Sequence, residues 1–341
     1  MPLTPYLHRV VGREDLPAGD AYEAMAIILR GEASISLITA FLVALRMKGE
    51  TAREILGFAR AMRDYCTRVR PRLEGEALVD TCGTGGDGAG TFNISTIAAF
   101  AVAAAGARVA KHGNRSISSR CGSADLLERL GVKVSVDAAT AARAIEKVGI
   151  AFLFAPAFHP AMKHAQPARA ELHMRTVFNL LGPLTNPAGA TAQVVGAPSV
   201  DAALLIAEAL AELGLQRGFV VHGCDGLDEI TISGETTLFD VCHGRVFRRT
   251  VSPADFGFDT APPEAMVGGT PEQNTAIATR ILNGELGARR NVVLMNASAA
   301  LVAAGRAADF KEGAELAADA IDSGAALATL RSLACFTSAA Q

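Results

Sequence analysis

From Leu78 onward, short apolar runs of strand length alternate with segments of helix length, and this alternation constrains the fold more than any other feature. ALVDTC (77–82) reads as a strand and NISTIAAFAVAAAG (93–106) as a helix opened by polar residues and closed near Gly106. ARVAKHG (107–113) is a strand, SADLLERLG (123–131) a helix ending at Gly131, and VKVSV (132–136) a further strand. AATAARAIEKVG (138–149), IAFLFAP (150–156), AQVVGAPS (192–199), DAALLIAEALAELG (201–214) and RGFVVHG (217–223) continue the rhythm. Strand and helix in turn predict an α/β domain with a mainly parallel central sheet. ETTLFDVCHGRVFRRTVSP (235–253) departs from it, predicting an antiparallel hairpin around a His-Gly turn.

The first seventy residues carry helical signals instead. AYEAMAIILRGE, SLITAFLVALRMKGE and TAREILGFARAMRDYC place apolar residues at three- and four-residue spacings, with Gly31 and Gly49 as helix ends. The charged stretch Arg68 to Glu76, broken by a proline, reads as a linker. ARAELHMRTVFNLLGPLTNPAG (168–189) reads as helices ended by Gly-Pro and Asn-Pro that pack back on the N-terminal helices. TPEQNTAIATRILNG opens a last helical region, with Thr270 as N-cap, Pro271 in the first turn and Gly284 at the end. The expected organisation is a helical domain over 1–75, joined in space by part of 168–190, and a larger α/β domain over 76–341.

Composition limits the function classes. A net charge of −3 gives no broad basic surface for nucleic acid. The six cysteines form no CxxC pair and have no zinc-finger spacing with histidine. MPLTPYLHRVVGRED lacks the apolar stretch of a signal peptide, and the longest apolar run, Ile97 to Ala107, is far short of the ~20 residues that span a bilayer. A cytoplasmic protein with reduced thiols is expected.

Chemistry concentrates in three places. DTCGTGGDGAGTFNIST (80–96) follows a strand and precedes a helix. Gly83 to Gly88 matches GxGxxG, but AGTFN intervenes before the helix, and Arg108 and Lys111 stand where a ribose-binding acid belongs, so a dinucleotide site is disfavoured. A P-loop fails as well, because Thr91-Phe92 replaces Lys-Ser/Thr. What remains is backbone that an oxyanion can approach closely, at the positive end of a helix. One N-cap would suffice there, yet Thr91, Asn93, Ser95 and Thr96 crowd the position. KHGNRSISSRCGSAD (111–125) is a second strand–loop–helix junction, basic and serine-rich, with no carboxylate between Arg108 and Arg120. Two such junctions at one sheet edge suit a ligand with more than one phosphate group. Finally, VVHGCDGLDEITI places Asp228 and Glu229 after an Asp225-Gly226 turn, where carboxylates facing phosphate would be bridged to it by Mg²⁺. His222 reads as a core or turn histidine.

GTGGDG…TFNIST, KHGNRS…GSAD, RTVFNLLGPLTNP and HGCDGLDE, in this order, resemble the anthranilate phosphoribosyltransferase family over roughly residues 20 to 330. The resemblance implies a fold of the nucleoside phosphorylase/phosphoribosyltransferase type and transfer of a phosphoribosyl group from phosphoribosyl pyrophosphate to the amine of anthranilate, in tryptophan biosynthesis. It places phosphoribosyl pyrophosphate on Gly83, Gly86, Asp87, Thr91, Asn93, Ile94, Ser95 and Thr96. To these it adds Lys111, His112, Gly113, Asn114, Arg115, Ser116, Ile117, Ser118, Ser119 and Ser123. Anthranilate would contact Gly83, Asn114 and Arg169, and Mg²⁺ would take Ser95, Asp228 and Glu229. No protein nucleophile is expected, and the family is typically a homodimer joined through the helical domain. The chain departs from the family at His173, where glycine is usual, at Cys121 in place of a frequent serine, and at Thr81-Cys82 in place of an apolar pair. A pyrimidine nucleoside phosphorylase would share the architecture but carry Lys and Ser after the glycine loop. A non-enzymatic nucleic-acid-binding relative would carry broader positive charge.

Overall fold

A computed structural model describes residues 2–115 and 120–339. The N-terminal region is helical, as the spacing predicts: α1 (Thr4–Val11), α2 (Ala18–Leu29), α3 (Ile35–Lys48) and α4 (Ala52–Asp64). A capping box starts α4. Thr51 accepts from Glu54 N, and the Glu54 carboxylate returns to Thr51 N at 2.9 Å. That carboxylate is fully buried and also holds Leu16 N and Lys48 Nζ, both at 3.0 Å, so one acid ties three segments together.

The α/β region follows with β1 (Leu78–Asp80), α5 (Ile94–Ala104), β2 (Arg108–Gly113), α6 (Ser123–Arg129), α7 (Ala138–Val148) and β3 (Ile150–Phe154). Short helices α8 (Ala155–Phe158), α9 (Gln166–Leu172) and α10 (Phe178–Leu181) come next, then β4 (Ala192–Gly196), α11 (Val200–Glu212) and β5 (Arg217–Gly223). The hairpin is β6 (Thr236–Cys242) and β7 (Arg245–Val251), turning through His243 at φ 47° and Gly244 at φ 77°. The chain closes with α12 (Pro271–Leu282), α13 (Ala288–Ala303), α14 (Phe310–Asp322) and α15 (Ala325–Ala339). The strands form one seven-stranded sheet in the order β3-β2-β1-β4-β5-β6-β7. It is parallel from β3 to β5 and antiparallel beyond.

One expected strand is absent. Residues 132–136 form no ladder, and β3 is the strand that pairs with β2 at that end of the sheet. The alternation is genuine, with Val132 and Val134 buried and Lys133 and Ser135 exposed. It records an extended segment laid on the helical layer, where Lys133 N donates to Thr337 Oγ1 of α15 at 3.1 Å.

Two apolar cores sandwich the sheet. One joins α5, α13, α14 and α15 through residues such as Phe100, Leu301, Ile321 and Leu333. The other is continuous from the N-terminal helices (Ile28, Phe41, Phe58) through α10 and α11 to Val195, Val220 and Val241 of the sheet. Helix α9 packs on α3, and α10 packs on α4. The charged stretch after α4 is irregular but anchored: Val69 is buried, Val69 N donates to Pro187 O at 3.1 Å, and Arg72 N donates to Glu146 Oε1 at 2.7 Å.

Candidate active site

The chain leaves β1 into the glycine loop at the carboxyl edge of the parallel sheet. Gly85 and Gly86 adopt φ of 67° and 77°, a left-handed conformation that only glycine takes without strain. This turns their carbonyls toward Arg175, whose Nη1 and Nη2 donate to Gly86 O at 2.6 Å and Gly85 O at 3.0 Å. The loop is therefore clamped from behind. Its far end is held by an outlying strap, with Phe92 N donating to Met266 O at 3.1 Å and Gly268 N to Gly90 O at 2.9 Å.

The acidic turn after β5 meets this loop. Asp228 Oδ2 accepts from Gly85 N at 2.8 Å, and Asp228 N lies 3.4 Å from Asp87 Oδ2. Glu229 Oε1 accepts from Ser95 N, in the first turn of α5, at 3.2 Å. Thr84 N donates to Gly196 O at 2.9 Å, joining the loop to the end of β4. Gly86, Asp87, Ser95, Asp228 and Glu229 thus share one crevice. Its carboxylates crowd one another. Burial, then the charges of Glu229 and Asp87, pushes the Asp228 carboxyl well above the usual range. Burial lifts Glu229 to about 7 against the pull of Lys111 and the hydrogen bonds from Ser95.

Successive residues of β2 part company, as a strand requires. Lys111, 4% exposed, turns under the loop, where Nζ donates to Thr81 O at 2.8 Å, Thr81 Oγ1 at 3.2 Å and Ser95 Oγ at 3.4 Å. His112 turns to the other face. Its N–H donates to Asp80 Oδ1 at 3.0 Å, its Nδ1 lies 3.1 Å from Gly182 O, and its ring sits 5.2 Å from that of His159. Burial lowers both histidines, to about 3 and about 4, so both rings are neutral at physiological pH. Asp80 is completed by Asn186 Nδ2 at 2.7 Å, and burial lifts it to about 6.

The other expected residues differ in what they have to offer. Asn93 spends its amide internally, donating to Cys121 O and accepting from Asn274, each at 3.0 Å. Ile94 and Thr96 are buried, so their side chains belong to the packing of α5. Thr91 is half-buried and bridges to Val267. Arg115 is already neutralised by Asp125 at 2.8 Å and Glu128 at 2.6 Å. Asn114 O accepts from Ser123 Oγ at 3.1 Å, and an added Cβ on Gly113 would fall 2.5 Å from that same Oγ. Ser116, Ile117, Ser118 and Ser119 lie outside the described residues. The Arg169 guanidinium stands 5.2 Å from the centre of the Phe178 ring, and no side-chain hydrogen bond or ion pair holds it among the described residues. His222 Nδ1 lies 2.9 Å from Ala197 O, a turn role. Arg175, Gly196, Asn186 and His159 were not singled out from sequence. For Arg175 the signal lay in RTVFN itself, whose arginine stands alone before an apolar run.

A seven-stranded, mostly parallel sheet that joins a phosphate-type glycine loop to an acidic turn, under a helical bundle, defines a glycosyl-transferring class. The helical bundle domain of a glycosyl transferase family matches residues 4–66, and the a/b domain of that family matches residues 75–327. The anthranilate phosphoribosyltransferase of Solibacter usitatus is 62% identical over 336 residues, 98% of this chain and 99% of that protein. That of Pelotomaculum thermopropionicum is 54% identical, covering 97% and 95%. The crystal structure of the Thermus thermophilus enzyme superposes with a TM-score of 0.93 at 45% identity, over 99% of this chain and 100% of that one. The Saccharomyces cerevisiae enzyme in complex with PRPP and Mg superposes at 0.90 with 28% identity, over 98% of each chain. The chain belongs to the anthranilate phosphoribosyltransferase family.

Proposed function

We propose that the crevice between the glycine loop, the start of α5 and the Asp228-Glu229 turn transfers the phosphoribosyl group of phosphoribosyl pyrophosphate to anthranilate. The bond from ribose C1 to the pyrophosphate oxygen breaks, a bond from C1 to the aromatic amine forms, and the amine loses a proton. One observation carries the assignment to these residues: Gly85 N on Asp228 and Ser95 N on Glu229 gather all three segments at one sheet edge. The donor set there is hard oxygen, and its carboxylates repel one another, which suits a divalent cation. Ser95, Asp228 and Glu229 would hold Mg²⁺, which supplies charge neutralisation for the departing pyrophosphate.

The chain's own part is positioning and electrostatics. The glycine backbone and the positive end of α5 receive phosphate oxygens. Lys111 places its charge beneath them while anchored to Thr81 and Ser95. Arg169 would pair with the anthranilate carboxylate, and Gly83 and Asn114 would be the other contacts of anthranilate. The aromatic amine is unprotonated at neutral pH, so the step needs neither a protein nucleophile nor a strong base.

Three wider proposals accompany this one. Helices over 1–75, with part of 168–190, act as a domain that closes on 76–341. Exposed Val11, Ile35 and Met47 on α1 and α3 support a homodimer through that region. No described helix is long and apolar enough to cross a membrane, and the cytoplasm is the proposed compartment. The decisive experiment is turnover of Asp228→Ala/Glu229→Ala, followed as loss of anthranilate fluorescence with phosphoribosyl pyrophosphate and Mg²⁺. Loss of metal-dependent turnover with an unchanged melting temperature is expected; an unaffected rate refutes the metal role.

A further inference from the structure

A second recess lies outside the crevice. It is a cavity of about 250 Å³ between the end of α12 and the start of α13. Ile277, Ile281 and Leu286 give it aliphatic walls, and Arg280, Arg289 and Arg290 give it three guanidinium groups, of which Arg280 is paired with the acid Glu285 at 3.0 Å, Nε to Oε2. Helix α13, sixteen residues long, begins at this cavity, and its N-cap Gly287 offers no side-chain oxygen to the free N–H groups. Independently, Arg290 is 5% exposed, yet its Nε finds no partner among the described residues. Its Nη2 is engaged, with Asp322 at 2.7 Å. A buried, half-satisfied guanidinium beside an uncapped helix start is costly unless something accepts from it. Leu286 is 79% exposed at the rim, as an apolar contact awaiting cover would be.

The recess also touches the glycine loop mechanically. Arg289 Nε donates to Ala265 O at 2.9 Å and its Nη2 to Val267 O at 3.1 Å. Met266 and Gly268, interleaved with these residues, are the strap that holds Phe92 and Gly90. An anion bound in the cavity would compete with those two carbonyls for Arg289, and losing those bonds would loosen the strap.

We propose that this cavity is a binding site for a small carboxylate with a short aliphatic body, and that its occupation is felt at the far end of the glycine loop. The volume is below that of a drug-sized pocket and suits a ligand of amino-acid size. The carboxylate takes the arginines and the N–H groups of α13, and the aliphatic body takes Ile277, Ile281 and Leu286.

The test uses the full chain with 4-methylpentanoate as probe and acetate as the comparison anion. Calorimetry should show saturable one-to-one binding of 4-methylpentanoate, with acetate markedly weaker. Arg280→Gln, an exposed change that leaves turnover without the probe unaltered, should weaken binding about tenfold. Saturating probe should speed amide hydrogen exchange at Phe92 and Gly268 in the parent chain but not in Arg280→Gln at the same concentration. Arg290→Lys, checked for an intact melting transition, should weaken binding as well. Absence of saturable binding, equal affinity for acetate, binding indifferent to Arg280→Gln, or unchanged exchange at Phe92 and Gly268 would each overturn the proposal. None of these readouts depends on catalytic turnover.

Discussion

Gly196→Ala is the sharpest probe of the proposed crevice, because it touches no proposed ligand contact. A Cβ built at this position falls 1.5 Å from Asp228 O, 2.5 Å from Asp228 C and 3.2 Å from its Cα. All three atoms are backbone, so no rotamer change relieves the overlap. Restoring an ordinary contact distance requires the acidic turn or the end of β4 to shift by about 2 Å. That shift exceeds the slack in the hydrogen bond of 2.8 Å from Gly85 N to Asp228 Oδ2 and in that of 2.9 Å from Thr84 N to Gly196 O. A 1 Å misplacement at a reacting centre costs about 10²-fold, so kcat/KM should fall by at least about 10²-fold. The overpacking itself should cost about 1–3 kcal/mol of stability, leaving the chain folded. The assay is steady-state loss of anthranilate fluorescence, run beside thermal melting by circular dichroism. Gly19→Ala in α2 is the control, since a Cβ there meets nothing within 4 Å and replaces a helical glycine. It should raise stability by about 0.5–1 kcal/mol without altering rate. A folded Gly196→Ala with kcat/KM within about threefold of the parent would refute the claim that this turn's placement governs catalysis.

Three further outcomes follow from the same geometry. Arg169→Gln should raise KM for anthranilate about tenfold or more, with KM for phosphoribosyl pyrophosphate nearly unchanged, in two-substrate steady-state kinetics; a matching rise in both would remove Arg169 from the carboxylate. His159 is held to about 4 by burial against an ordinary value near 6.5, so below pH 6.5 the unfolded chain takes up a proton that the folded chain refuses. His159→Phe should therefore lose about 2–3 kcal/mol less stability than the parent between pH 7 and pH 4.5, by urea denaturation; parallel losses would show that His159 does not titrate this way. His173 occupies φ 45°, ψ 30°, so His173→Gly should melt at or slightly above the parent, while His173→Val loses about 1–2 kcal/mol; the reverse order in thermal melting would contradict a left-handed turn.

That same torsion explains why the departure at His173 is tolerated. The residue keeps the left-handed turn that glycine would take, so the chain still enters RTVFN in the direction that brings Arg175 to Gly86. Local features of this kind were legible from sequence: the strand–loop–helix junctions, the His-Gly hairpin, the Thr270 cap and the Asp225-Gly226 turn all depend on a few neighbouring residues. Pairings across long separations were not. The absence of carboxylates between Arg108 and Arg120 suggested an open basic loop, yet Asp125 and Glu128, one helix further on, neutralise Arg115. Lys111 and His112 read as one basic cluster, and the two-residue period of β2 sends them to opposite faces. The segment 132–136 shows the converse. Its alternation reported burial correctly, but a ladder depends on which element the segment is laid against, which no local pattern encodes.

The order of the sheet explains where the crevice falls. From β1 the chain runs outward through β2 and β3, then returns to place β4 on the other side of β1. The loops leaving β1 and β4 therefore diverge, opening a gap at the carboxyl ends of adjacent strands, where open α/β sheets take their ligands. This also separates two duties among the glycines of the site. Gly85 and Gly86 expose backbone, turned by positive φ and clamped by Arg175. Gly83 and Gly196 make room for the protein itself: a Cβ on Gly83 would lie 3.1 Å from Asp228 Oδ2, and one on Gly196 would overlap the Asp228 carbonyl. Glycine density in the opening motif thus measures two things at once, the approach of an oxyanion and the approach of the chain's own acidic turn. Only the first can be read from the motif, because the residue that demands the second lies 143 positions from Gly85.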